Sequence, residues 1–355
     1  MTGHVLLIGP YGVVGSAVAE RLGDPASDWR LTTASRRVVP VEVDGRATPD
    51  QHLTVDLLDG DRSRAALAGL DGVTHLVYAG YTERPTMAET TAPNLAMLRH
   101  TLDGLRAAGA PLRRVVLIGG GKSYGEHLGP YRTPAKETHP RLLGPIFYND
   151  QEDLLAARAA VDGFDWTVLR PDAVLGFALD SPMNLLTCVA VFAALSREAG
   201  VPLRFPGSPA AWTALHQFTD ADLLAAAVDW ALTSPAAENE VFNVTNGDLF
   251  RWEQLWSDIA EVFDMPTAPP QPMSLREHMA GHEAAWNRLV ERHRLRPVPY
   301  HRIASWGFAD GIWNAGFDMV QSTIKIRQAG FGDCVDSHDS MVRQLTRLRE
   351  RRYVP

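Results

Sequence analysis

Three small groups of residues in this 355-residue sequence have types and spacings that could do chemistry. The first is Gly9-Pro10-Tyr11-Gly12-Val13-Val14-Gly15, which follows an apolar run at 5–8 and opens a helical pattern at 14–22. One glycine permits a tight turn, one lets a diphosphate approach the backbone, and one packs helix against strand. The helix start adds unpaired N–H groups and a positive dipole. Gly9, Tyr11, Gly12, Val13, Val14 and Gly15 are therefore expected to bind a dinucleotide. The second group is Ser35-Arg36-Arg37, at the end of the second predicted strand. An acid there would suit ribose hydroxyls, whereas two guanidinium groups and a hydroxyl suit a 2′-phosphate, so NADPH is the expected cofactor. The third is a phenol and a cation. Tyr148 opens a helix-like segment at 147–153, but the residue four positions on is Glu152, so a basic partner must come from elsewhere. Lys122, in Gly119-Gly120-Gly121-Lys122-Ser123-Tyr124, is the candidate.

Strands and helices in alternation must position these groups. Apolar runs at 5–8, 31–34, 53–55, 75–79, 115–118 and 166–169 read as strands, with helical patterns at 14–22, 63–70 and 88–108 between them. Continuous apolar strands alternating with helices imply a parallel sheet covered on both faces, a doubly wound α/β fold that binds ligands at its strands' carboxyl ends. Asp56 and Leu57 end the third strand, where they border an adenine or simply cap the turn. Ala79 and Gly80 end the fourth and are expected to face the cofactor. After Arg170-Pro171 the rhythm becomes helical, at 181–197 and 220–232, and a proline cluster at 266–272 marks a surface linker. The expected organisation is a cofactor domain over 1–175, with 219–248 returning to it. A smaller, mostly helical substrate lobe takes 176–218 and 249–355.

Composition excludes several classes. With 45% hydrophobic and 21% charged residues the chain reads as globular, and a net charge of −8 offers no general field for nucleic acid. The arginines near the end (343, 347, 349, 351, 352) read as a solvated helix end. The longest apolar stretch, 185–195, is about half a membrane span. Two distant cysteines and no secretory pattern point to a reducing, cytoplasmic setting. The histidines, His75 and His216 among them, lack metal-ligand spacing, so no metal is expected.

At 119–124 and 146–153 the sequence resembles the progesterone 5β-reductase/iridoid synthase (PRISE) family of atypical extended short-chain dehydrogenases/reductases. The family's Thr-Gly-x-Lys-His-Tyr segment is matched loosely by Gly119 through Tyr124, and its Asn-Phe-Tyr-Tyr-x-x-Glu-Asp segment by Ile146 through Asp153. Further blocks look like the family's: Leu175-Gly176-Phe177, Ser181-Pro182-Met183-Asn184-Leu185, Leu203-Arg204-Phe205-Pro206-Gly207, Thr219-Asp220-Ala221-Asp222-Leu223 and the terminal Tyr353-Val354-Pro355. There are departures. Gly119 replaces the threonine, Ser123 the histidine and Asn149 the second tyrosine, and the connection from Lys122 to Tyr148 is shorter than in plant members.

The resemblance implies a Rossmann-type fold and NADPH-dependent 1,4-reduction of the C=C bond of α,β-unsaturated carbonyl compounds, enones and enals, with Δ4-3-ketosteroids in range. Lys122 and Tyr148 become the catalytic pair, both touching the cofactor. Hydride at the β-carbon pushes charge onto the carbonyl oxygen, where the Tyr148 phenol donates a hydrogen bond and the Lys122 cation stabilises the charge or lowers the phenol's pKa. Tyr81, Tyr124, His127 and Phe205 are expected to contact substrate, with Tyr81 open to reading as a plain loop tyrosine. Pro171 and Val174 pass beside the nicotinamide, Arg170-Pro171 acting as a backbone feature. Asn94 matches a structural helix asparagine. The partner is a small enone or carbonyl compound, with no nucleic acid and no membrane, and a homodimer stays open. Two other readings stand beside this one: a ketone or aldehyde reductase or sugar-nucleotide-type enzyme on the same fold, and a non-catalytic NADPH-sensing regulator.

Overall fold

A computed structural model describes residues 3–38 and 49–355. The chain runs β1 (Gly3–Ile8), α1 (Val13–Leu22), β2 (Trp29–Ser35), β3 (Gln51–Thr54), α2 (Gly60–Leu67), β4 (His75–Tyr78), α3 (Met87–Ala107), β5 (Arg114–Ile118), α4 (Phe147–Asp162) and β6 (Asp165–Pro171). It continues through β7 (Val174–Leu175), α5 (Leu185–Glu198), β8 (Leu203–Arg204), α6 (Pro209–Thr213), β9 (Thr219–Asp220), α7 (Ala221–Thr233), β10 (Glu240–Val244), α8 (Trp252–Val262) and β11 (Thr267–Ala268). Short helices fill most of the remainder, ending in Ser337–Glu350. Seven strands form one sheet in the order β10-β6-β5-β4-β1-β2-β3, every neighbouring pair parallel. The order reverses direction between β1 and β4, the crevice where such sheets take ligands.

Alternation along the strands explains the two covered faces. In β1, Val5 and Leu7 join the cluster made with α1 and α7, while Leu6 and Ile8 join the cluster made with α2, α3 and α4. Capping shifted two expected boundaries. Asp59 accepts a hydrogen bond from the N–H of Arg62 at 3.0 Å, so α2 starts at Gly60, three residues ahead of the expected 63. Asn184 caps α5, whose residues from Leu185 to Leu195 are all buried, so the helix begins four residues after the expected 181. Thr86 and Glu89 form a capping box that fixes the start of α3.

The third hydrophobic cluster belongs to the C-terminal half and is aromatic. Phe205 lies at its centre, with ring centroids 5.1 Å from Trp212, 5.8 Å from Trp252, 5.2 Å from Trp256 and 6.1 Å from Trp313. This corrects the expectation that Phe205 touches substrate: it is fully buried in the core and does not line the cleft. Its burial needs Gly207, because a Cβ there would come within 2.6 Å of the Phe205 ring.

The terminal arginines also differ from the solvated end expected of them. Asp220 is completely buried, caps α7, and is bound by Arg343 at 2.6 Å and Gln344 at 3.3 Å. Arg347 and Arg343 reach Asp222 at 2.7 and 2.8 Å. The final helix is thus fastened to α7 by charge. Cys188 is buried and Cys334 exposed, and both are free. Among the described residues no helix is long and apolar enough to cross a membrane, and no cluster could hold a metal ion.

Phe205→Ala is expected to cost about 3–5 kcal/mol of stability through the cavity it leaves. Urea denaturation followed by tryptophan fluorescence checks this; a loss below about 1 kcal/mol would contradict the core assignment.

Candidate active site

A cleft of about 670 Å³ runs along the carboxyl ends of β1, β4, β5 and β6, within the range of small-molecule sites. At one end lies the glycine turn. Gly9 has φ +82°, and a Cβ there would come within 2.6 Å of the Ala79 carbonyl oxygen. A Cβ on Gly15 would meet the Gly9 carbonyl oxygen at 2.0 Å, so only glycine lets α1 pack this tightly against the turn. At Gly12 the surroundings are open, with a single atom at 3.7 Å. Gly12 is also the N-cap of α1 and supplies no side-chain cap, which leaves the first N–H groups facing the cleft. These features fit a dinucleotide diphosphate.

Tyr11, Val13, Val14, Ser35, Arg36, Arg37, Asp56, Leu57, Ala79, Gly80, Pro171 and Val174 all line the same cleft. Arg36 is exposed and has no partner among the described residues. Arg37 reaches across the rim, donating to the carbonyl oxygens of Leu179 at 3.0 Å and Asp180 at 3.3 Å. The Asp180 carboxylate is held by Arg302 at 2.7 and 2.9 Å, which keeps it below the usual carboxylate range. Two guanidinium groups at this end offer a 2′-phosphate its counter-charge. Asp56 turns its carboxylate back to the N–H of Leu58 at 3.1 Å, so it does cap its own turn while bordering the cleft.

At the other end stand Lys122 and Tyr148. Lys122 lies on a 3-10 turn, Gly121–Tyr124, directly after β5. Tyr148 is the second residue of α4, and its ring lies against Gly120, where a Cβ would meet the ring at 3.0 Å and the hydroxyl at 3.2 Å. A larger residue at 120 would push the phenol out of place. Burial raises the phenol's pKa, with Tyr81 and Glu126 adding to it, so the group stays a neutral donor at neutral pH. Burial lowers the pKa of Lys122, opposed by Glu126 and Glu83. Among the described residues, the Lys122 ammonium has the Met183 sulfur as its one hydrogen-bond partner, at 3.8 Å. Phe147 stacks between Tyr148 and Tyr81, with centroids at 4.1 and 5.3 Å, and Tyr81 and His127 both face the cleft. Asn94 sets the loop that carries Tyr81: it accepts from the N–H of Thr82 at 3.0 Å and donates to the Thr82 carbonyl at 2.7 Å.

Tyr124 is not in the cleft. Its hydroxyl donates to Asn243 at 2.6 Å and accepts from Arg170 at 3.0 Å, with that guanidinium also over its ring. This corrects its expected substrate contact. Arg170 is likewise more than a backbone feature. It grips Glu152 through two hydrogen bonds of 2.9 and 2.7 Å, both side chains buried. The position that lacks the expected lysine therefore carries a structural carboxylate.

A family profile described as a PRISE-like Rossmann-fold domain matches residues 53–318. The (S)-8-oxocitronellyl enol synthase of Camptotheca acuminata is 33% identical over 99% of this chain and 93% of its own. The 3-oxo-Delta(4,5)-steroid 5-beta-reductase of Arabidopsis thaliana is 32% identical over 99% and 92%. The chain belongs to the PRISE-like family. Its fold is also that of the UDP-glucose 4-epimerase of Thermus thermophilus, solved with NAD, at TM-score 0.67 and 18% identity over 98% of this chain and 99% of that one.

Sequence reading missed much of the PRISE-like cleft's apolar wall. Met183, Phe308, Ile312, Phe317 and Met319 line it from the C-terminal half. Phe308 and Ile312 lie on a short helix (Trp306–Trp313) and the other three on connecting segments, and apolar residues there look alike in sequence whether they face a core or a cleft. Glu126 and Asp172 also line it and carry no spacing signal.

Glu152→Gln leaves the Arg170 charge buried and unpaired, which is expected to cost about 3 kcal/mol of stability. The folded fraction should retain near-normal turnover, since this carboxylate faces away from the cleft. Thermal unfolding beside an initial-rate assay separates the two; an inactive variant with wild-type stability would contradict this placement.

Proposed function

We propose that this chain is an NADPH-dependent reductase of the C=C bond of α,β-unsaturated carbonyl compounds. The observation that carries the reading is the meeting of Lys122 and a neutral, buried Tyr148 in one cleft with a phosphate-ready helix start. A bound NADPH supplies the hydride. The protein's own residues do the rest. The glycine turn and the α1 N–H groups hold the diphosphate, and Ser35, Arg36 and Arg37 hold the 2′-phosphate. Tyr148 donates a hydrogen bond to the substrate carbonyl oxygen, and the bond strengthens as that oxygen gains enolate charge. The Lys122 ammonium lowers the energy of the same charge in a site where burial strengthens it. The apolar wall suits a hydrophobic enone or enal. The relatives' names describe an enol product and a reduced steroid, both outcomes of adding hydride to a conjugated carbonyl.

The direct test incubates the protein with NADPH and cyclohex-2-enone. Cyclohexanone is the expected product; formation of the allylic alcohol, or no NADPH consumption, overturns the reading.

Replacing Arg36 and Arg37 together with alanine should raise KM for NADPH by at least tenfold and leave that for NADH nearly unchanged. Equal use of both cofactors by the unaltered protein would contradict the assignment of this pair.

Tyr148→Phe should lower turnover by about 100- to 1000-fold with NADPH affinity retained, the effect of losing one oxyanion donor. Lys122→Ala should be comparably slow, and the double variant far from multiplicative, because the two act on one charge. Single-turnover rates at saturating NADPH decide it; a near-normal Tyr148→Phe removes the phenol from the mechanism.

A further inference from the structure

Beside Lys122 lies a group of buried polar atoms that enolate stabilisation does not use. Asp172 follows β6 directly and is 7% exposed. Its Oδ1 accepts from the N–H of Ala173 at 2.7 Å, while Oδ2 is buried without a partner among the described residues. Glu126 follows the Lys122 turn, and its Oε2 is also buried and unpartnered. Gln321 is 2% exposed, with neither side-chain amide atom satisfied. It is aimed at the same place: a Cβ on Gly121 would lie 2.0 Å from Glu126 Oε2 and 2.6 Å from Gln321 Nε2. Both carboxyl groups line the cleft that holds Lys122 and Tyr148.

Orphaned buried polar atoms are costly, and native proteins keep them where they have work to do. The titratable and charged groups around this pair are Lys122 and His127 from the same segment, Tyr131 from the loop that follows, and Tyr148 from α4. Lys122 is the cation among them, its charge opposed by burial and supported by Glu126 and Glu83. Burial pushes both carboxyl groups well above the usual range, and the Asp172 charge pushes Glu126 further. Two ionised carboxylates against a single ammonium would leave a buried net charge. One proton shared by the pair leaves one negative charge, which Lys122 balances.

We infer that Glu126 and Asp172 together are the acid that finishes the reduction, Glu126 giving its proton to the α-carbon of the enolate. This rests on the reductase reading above. Once hydride has bonded to the β-carbon, the former π pair is held as enolate. The carboxyl O–H bond then breaks, leaving its electrons on the carboxylate, and the enolate pair forms the new C–H bond at the α-carbon. Water entering the cleft restores the proton, so the sum is one hydride and one solvent proton added across C=C. The released product is a saturated carbonyl compound, and its α-hydrogen arrives from one side.

The test uses 2-methylcyclohex-2-enone with NADPH in D2O, quenched after one turnover, because its α-carbon becomes a stereocentre. The expected product carries deuterium at that carbon with one configuration in clear excess. Glu126→Gln should slow product formation by about 100-fold, the usual contribution of a general acid, and give both configurations equally. Asp172→Asn should show the same loss of configuration. As a readout independent of turnover, infrared spectra of the unliganded protein at neutral pH should contain a protonated-carboxyl band that is absent from Glu126→Gln. That band is read on the unaltered chain even if a variant fails to fold. A mixed configuration from the unaltered protein, retained configuration in Glu126→Gln, or a missing carboxyl band overturns the inference. Failure of the unaltered protein to consume the enone instead overturns the reductase reading on which it stands.

Discussion

One buried guanidinium organises the reacting end of this molecule. Arg170, at the end of β6, binds Glu152 of α4 through two hydrogen bonds and reaches the Tyr124 hydroxyl, which in turn donates to Asn243 of β10. Four segments are therefore tied to one side chain: β6 itself, the helix bearing Tyr148, the turn bearing Lys122, and the edge strand β10. Such a pair gains little net stability over apolar packing, since desolvation offsets the attraction. Its value is geometric. Losing Glu152 would strand the buried Arg170 charge, and Arg141 holds the same carboxylate from a second side at 3.1 Å, so the arrangement resists drift. The same network joins the elements that carry Lys122 and Tyr148, the pair proposed above to act on the substrate.

The cleft itself is divided by chemistry. Its glycine end exposes backbone N–H groups and arginines, while Phe147 and Met183 lie against Tyr148 and Lys122 at the other, and Phe308 and Ile312 add to the apolar lining. Low polarity at that end strengthens the field of Lys122 and keeps the phenol of Tyr148 protonated. The same burial that makes a bare enolate costly in this site makes each donor aimed at it more effective. An enzyme can use this setting because its dipoles are fixed before the charge forms.

What could be read from the sequence was whatever depends on neighbours along the chain. The glycine turn, the strand rhythm and the arginines after β2 obey local rules, and their residues share one cleft in the folded protein. Resemblance to the family directed attention to Lys122 and Tyr148, which no local rule links. Phe205 and Tyr124 misled because contact with substrate depends on which way a side chain faces after folding. Phe205 turned into a cage of tryptophans, and Tyr124 turned toward Arg170. Glu152 looked like a lost lysine because its partner sits 18 residues away on another element. Glu126 and Asp172 are 46 positions apart and only the fold makes them neighbours.

Arg37 has a further consequence for anyone redesigning this chain. It belongs to the end of β2, yet its guanidinium spans to the backbone of Leu179 and Asp180, and Arg302 clasps the carboxylate of that same aspartate. The rim at this point is a seam stitched from both sides. On the cofactor reading proposed above, Arg37 serves both the 2′-phosphate and the closure of that seam, and at this one residue the two cannot be adjusted separately. Replacing Arg37 to welcome NADH would also unpick the stitch, whereas Arg36, which fastens nothing among the described residues, could be replaced without loosening the mouth of the cleft.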